Sequence, residues 1–175
     1  MKSFVLSGML LAATLVAHGA GAVDELPWKA GMSPAQVRAV SEFGPYRAFG
    51  NGDLETYKGR WDGRDENVQF YFKDGKLARA SLYFYEGADP AEAAAHWLTL
   101  RRSMARHFGP LEAADVAAPS DEAFQADAQA AVSQGARRLM APAGSHGRPA
   151  FAVFKREEIE GRATYFVILH FDLQP

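Results

Sequence analysis

Histidines, a carboxylate-rich turn and a run of aromatics interleaved with cations are the residues of this 175-residue chain whose types could do chemistry. His96 and His107 stand eleven positions apart on one helix-forming segment. They therefore lie about 16 Å apart by helical rise, too far to share a metal. His18, His146 and His170 have no close-spaced histidine partner, and neither an H-E-x-x-H motif nor a calcium loop occurs. No metal centre and no cofactor is expected. Asp62, Asp65 and Glu66 cluster in a turn, where carboxylates can hold a cation or act as an acid–base pair with a histidine. Ser33, Ser81, Ser103 and Ser145 lack the G-x-S-x-G elbow of a nucleophilic serine. Gly50-Asn51-Gly52 and Gly144-Ser145-His146-Gly147 are not phosphate-binding loops of the strand-to-helix kind.

Tyr57, Trp61, Tyr71, Tyr83 and Tyr85 are interspersed with Lys58, Arg60, Lys73, Lys76 and Arg79. Aromatic and cationic side chains in such a mixture suit a protein-binding face or a stacking platform. The expected binding surface is Tyr57, Trp61, Tyr71, Lys73, Tyr83 and Tyr85. Nineteen Lys or Arg against 21 Asp or Glu leave a net charge of -2, which argues against a nucleic-acid partner. A protein of the envelope or a secreted protein is the expected partner class, with no catalytic set.

At the start of the chain Lys2 precedes the apolar run Phe4–Ala17, and small residues follow to Ala20-Gly21-Ala22. This is the three-part pattern of a cleaved export signal over residues 1–22, with Ala20 and Ala22 placed for the cleaving peptidase. Removing it takes away one Lys and no acid, so 18 cations face 21 carboxylates and the mature charge is -3. A periplasmic or secreted, soluble location follows as the expectation, with no integral span in the mature chain. There is no cysteine, which excludes disulfides, thiolate ligands, a thiol nucleophile and a lipidated cysteine.

The elements that must position these residues are legible from start and stop signals. Ser33-Pro34-Ala35-Gln36 supplies an N-cap, a proline at the first helical position and a capping-box partner, and Gly44-Pro45 closes a helix of about three turns. Asp89-Pro90-Ala91-Glu92 repeats the signal for a longer helix ending at Phe108-Gly109-Pro110, with Trp97, Arg101, Met104 and Phe108 on one stripe. A weak helix starts at Ser120. Strands are predicted over 54–61, 68–73, 76–85, 138–140, 150–155 and 163–172. Asp74-Gly75 forms a tight hairpin, and longer connections cover 62–67 and 156–162. The result is an α+β fold: an antiparallel sheet packed with two or three helices. A single domain is expected over residues 23–175; the repeated start and stop signals are read either as two degenerate tandem helix-plus-sheet units at about 23–88 and 89–175 or as convergent use of the same signals.

The Gly31-Met32-Ser33-Pro34-Ala35-Gln36-Val37 helix start, Phe43-Gly44-Pro45, and the meander ending in Phe70-Tyr71-Phe72-Lys73-Asp74-Gly75-Lys76-Leu77 resemble a group of exported bacterial proteins. It includes the SmpA/OmlA outer-membrane assembly lipoproteins (BamE) and the beta-lactamase-inhibitory-protein fold. The resemblance is strongest over residues 31–85. It implies helices packed on a three- or four-stranded antiparallel sheet and a non-enzymatic, envelope-associated, protein-binding role. The lipoproteins carry a lipobox cysteine that this chain lacks. The alternative to protein binding is a small-molecule binding module that uses an aromatic sheet face.

Overall fold

The computed structural model describes residues 26–112, 120–133, 135–142 and 150–173. The proposed export signal, with Ala20 and Ala22, lies outside the described residues, as does the loop holding Ser145 and His146. Helix α1 spans Pro34–Arg38, followed by a 3-10 turn at Ser41–Phe43. Strands β1 (Arg47–Ala48), β2 (Leu54–Trp61), β3 (Arg64–Lys73) and β4 (Lys76–Gly87) come next. Helices α2 (Pro90–Phe108) and α3 (Asp121–Val132) precede β5 (Arg137–Met140), β6 (Ala150–Ile159) and β7 (Arg162–Asp172). The seven strands form one antiparallel sheet in the order β1-β2-β3-β4-β7-β6-β5. Two meanders thus meet through their last strands, β4 and β7, each meander preceded in the chain by its helices. The fold is α+β.

Local chemistry accounts for the elements. The Ser33 capping box closes as predicted, with Ser33 Oγ accepting from the Gln36 amide and Gln36 Oε1 accepting from the Ser33 amide. The first helix is nevertheless shorter than its stop signal implied. It ends at Arg38 with Ala39 as its C-cap, and the following 3-10 turn carries Phe43 to Trp28, ring centroids 5.0 Å apart. Packing of Phe43 overrides continuation of a helix too short to be stable alone. The Asp89 carboxylate caps the Ala91 and Glu92 amides of α2, and Ser120 caps α3.

Two connections are tighter than predicted. The turns at Asp62-Gly63 and Glu160-Gly161 are two-residue hairpins like Asp74-Gly75, and all six residues have positive φ, from 49° to 76°. A turn of that shape matches the twist of its strands, so pairing runs up to the turn and extends β3, β6 and β7.

The core lies on one side of the sheet. Val68, Phe70, Ala80, Leu82, Val167, Leu169, Phe171, Ala152 and Phe154 face the α2 residues Trp97, Leu100, Met104 and Phe108, while Trp28 and Val37 cover β2 and β3. Burying a side chain of this size contributes about 1.5–3 kcal/mol. Phe124 of α3 stacks on Trp97 at 6.3 Å, and the Arg101 guanidinium lies 4.6 Å from the Phe124 ring centroid. Arg101 thus spans the helix seam with its apolar stem and meets Asp121 with its charge, as the stripe suggested. Among the described residues no helix is long and apolar enough to cross a membrane.

Candidate functional site

Among the described residues no helix packs on the other face of the sheet. The two-residue strand period sends Gln69 and Tyr71 of β3, Arg79, Ser81 and Tyr83 of β4, Ile168, His170 and Asp172 of β7, and Phe151, Val153 and Lys155 of β6 to that side. Register lines these residues up across strands. One row runs Glu55–Gln69–Ser81–His170–Phe151–Met140, from β2 to β5. A second runs Asn67–Tyr83–Ile168–Val153–Arg138, and a third is Tyr71–Arg79–Asp172. Bulges interrupt β2 between Thr56 and Gly59, β3 at Tyr71/Phe72 and β4 between Tyr83 and Tyr85. Bulges bend strands and re-aim side chains. The middle of the face holds an open groove of about 770 Å³ whose polar lining includes Tyr71, Arg79, Tyr83, Lys155, His170 and Asp172.

Within the groove the polar groups are ordered by one another. The Tyr71 hydroxyl donates to Gln69 Oε1 at 2.8 Å and lies 2.9 Å from the Tyr83 hydroxyl. Since Tyr71 spends its proton on Gln69, Tyr83 donates to Tyr71, and the Tyr83 oxygen keeps its lone pairs for another partner. Burial raises the pKa of both phenols, that of Tyr83 further because it is also the donor of the pair. Ser81 Oγ and His170 Nδ1 are 2.7 Å apart, and the imidazole lies 4.8 Å from the Phe151 ring. Burial, then the charges of Arg79, Lys155 and Arg138 against that of Asp172, pushes the His170 pKa down to about 4. The ring is neutral at neutral pH. Arg79 Nε donates to Asp172 Oδ1 at 2.7 Å, both side chains being about two-fifths exposed. Lys155 reaches Glu157 at 2.6 Å.

Ser81 and His170 are not arranged for nucleophilic attack. The serine is fully buried beneath the face, and a base with so low a pKa takes up little proton at neutral pH. What the groove offers is recognition: half-buried aromatic walls over the buried Ile168, a free acceptor on Tyr83 and cations at the rim.

Of the six residues predicted for a binding surface, Tyr71, Tyr83 and Lys73 line this groove. Trp61 does not. It is fully buried on the helix side, where its Nε1 donates to Ser103 Oγ at 2.7 Å. Tyr85 also faces the helices, because the β4 bulge shifts the alternation; its hydroxyl donates to the Asp89 carbonyl and accepts from the Asp89 amide, both at 3.1 Å. Tyr57 is 61% exposed, outside the groove on the bulged stretch of β2. Strict alternation along single strands could not anticipate the bulges. Ser81, His170, Asp172, Phe151 and Lys155 were not among the predicted set. Strand alternation puts His170 and Asp172 on one face of β7, but joining them to Ser81 and Arg79 needs a pairing across 89 and 93 positions.

The carboxylate turn builds a different cluster. Asp62 Oδ1 meets His107 Nε2 at 2.6 Å, and Asp62 Oδ2 accepts from Ser103 Oγ at 2.6 Å and from Arg106 at 2.8 Å. Burial opposes ionisation of Asp62, yet the hydrogen bonds from Ser103 and His107 and the charges of His107 and Arg106 hold its carboxyl below the usual range. Both oxygens are committed, so the group locks the end of α2 to the β2–β3 turn rather than serving as a free base. Glu66, raised by burial and by Asp62 against the opposing Arg64, pairs with Arg64 at 3.6 Å. No group of three or more metal-ligating side chains occurs among the described residues.

No protein-family model matches this chain, and no similar curated protein or solved structure is found.

Proposed function

We propose that this chain is an exported, non-catalytic binding module that takes up a small molecule on the open face of its sheet. The observation that carries this reading is the groove of about 770 Å³, within the usual range of ligand sites, lined by half-buried aromatic rings over the buried Ile168 and a few converging polar groups. Protein binding through the aromatics is the weaker version. It needed Trp61, Tyr71 and Tyr83 exposed together, whereas Trp61 sits in the core and the two tyrosines are half-buried and bonded to each other. Export rests on the Lys2-to-Ala22 pattern alone. The resemblance to envelope proteins fits that location.

Two measurements test the proposal. Expression with the native N-terminus should yield a mature protein beginning at Val23 by intact mass; a chain retaining residues 1–22 sinks the export part. Fluorescence of phenylnaphthylamine, an uncharged apolar dye, and of its anilinonaphthalene sulfonate analogue should rise on mixing with the protein. Ala78→Phe, which fills the groove from β4, should abolish the rise without lowering the melting temperature by more than a few degrees. If neither dye responds, or if Ala78→Phe responds like the parent, the face is not a ligand site.

A further inference from the structure

Resting on that reading, we infer that the ligand is an organic anion: a small carboxylate with an apolar aromatic or alkyl body. Charge complementarity carries the step. Among the described residues Lys73, Arg79 and Lys155 line the groove with Asp172 as the carboxylate of the lining, and Glu157 beside it holds Lys155 at 2.6 Å, which leaves the cations in excess by one. The rest of the lining is uncharged at neutral pH, including His170. Arg138 extends the cationic side, projecting in register beside Val153 with its guanidinium 5.9 Å from the Phe151 ring.

The internal pairs are of the kind a ligand can replace. Arg79 and Asp172 are each about two-fifths exposed, so their mutual attraction is weakened by solvent. Arg79 presents further guanidinium donors beyond the Nε held by Asp172, and lies 5.5 Å from the Phe151 centroid. Arg79 on β4 pairs with Asp172, two residues beyond His170, and Lys155 on β6 pairs with Phe166, four residues before it, so a carboxylate above His170 would meet Arg79 from one side and Lys155 from the other. The apolar body would lie along Phe72, over the floor of the groove in which Ile168 is buried. Asp172 acts as an intramolecular competitor for the same arginine.

Competition gives the test its sign. Anilinonaphthalene sulfonate and phenylnaphthylamine share their aromatic body and differ by one anionic group. The sulfonate should bind about tenfold tighter, the scale of one charge-assisted hydrogen bond at a half-exposed site, and the preference should shrink with added salt. Asp172→Asn should tighten sulfonate binding several-fold, whereas Lys155→Met and Arg79→Gln should weaken it and leave the neutral dye unchanged. Displacement by phenylpropionate or by laurate, and not by the corresponding alcohols, supports a carboxylate and tells an aromatic from an alkyl body. In histidine proton spectra, the midpoint of His170 should move to higher pH with phenylpropionate bound. Equal affinity for the two dyes, or no gain from Asp172→Asn in a protein that melts normally, overturns the anion and leaves the ligand site standing. Absence of binding by both dyes overturns site and anion together. Light scattering that shows a dimer, with dye binding appearing only on dilution to monomer, assigns the groove to a second copy and overturns both.

Discussion

His170 should impose a stability cost on acidification that its replacement removes. Its ordinary pKa of 6.5 falls to about 4 in the folded chain. Between those values the unfolded state binds more protons than the folded one, so stability rises with pH. The histidine costs nothing above pH 6.5 and progressively more as pH drops toward 4. Linkage with these two values gives about 2 kcal/mol lost at pH 5 relative to neutral pH, and about 3 kcal/mol once both states are protonated. Part of the ring is open to solvent, so about 1–2 kcal/mol at pH 5 is the expected figure. Asp62 does not interfere, because its lowered carboxyl titrates below 3.8, outside the window. The assay is urea unfolding of the parent and of His170→Gln at pH 7 and pH 5. The parent should lose about 1–2 kcal/mol more than the variant between the two values, with unchanged slopes. Equal losses would mean that His170 is solvated, and would refute its burial beside Phe151.

Other perturbations probe the scaffold. Asp62→Asn keeps a residue that tolerates positive φ while removing the charge shared by Ser103, Arg106 and His107. It should destabilise the fold by about 1–3 kcal/mol at pH 7, seen as a lower denaturation midpoint, and the difference should vanish at acid pH once Asp62 of the parent is protonated. Gly59→Ala places a Cβ 2.0 Å from Val68 Cγ2, so the core must shift and about 1–3 kcal/mol should be lost by the same assay. Tyr57→Ala, by contrast, removes a side chain that is 61% exposed and outside the groove; thermal melting and dye binding should both match the parent.

The helix starts were legible because capping is local chemistry: Ser33, Asp89 and Ser120 bond amides two or three residues away. The Asp74-Gly75 hairpin was legible for the same reason. Asp62-Gly63 carried the same two-residue signature but was absorbed into a longer polar connection, and Glu160-Gly161 was hidden because glutamate rarely takes positive φ. Side-chain alternation holds along a strand up to a bulge and fails beyond it, as at Tyr85.

The sequence by itself determined the α+β class, the helix starts set by caps, and the alternation that makes each strand two-faced. These depend on neighbours within a few positions. Only the tertiary structure decided which carboxylates, hydroxyls and imidazoles meet. Trp61 and Asp62 are adjacent in the chain and both belong to the lock on α2, which reaches them through Ser103 and His107. The groove exists because β4 and β7, remote in sequence, pair edge to edge and bring Ser81 to His170 and Arg79 to Asp172. The period of a strand says which side a residue faces. The register between strands says whom it faces, and that is settled by burying one continuous core against α2 and α3.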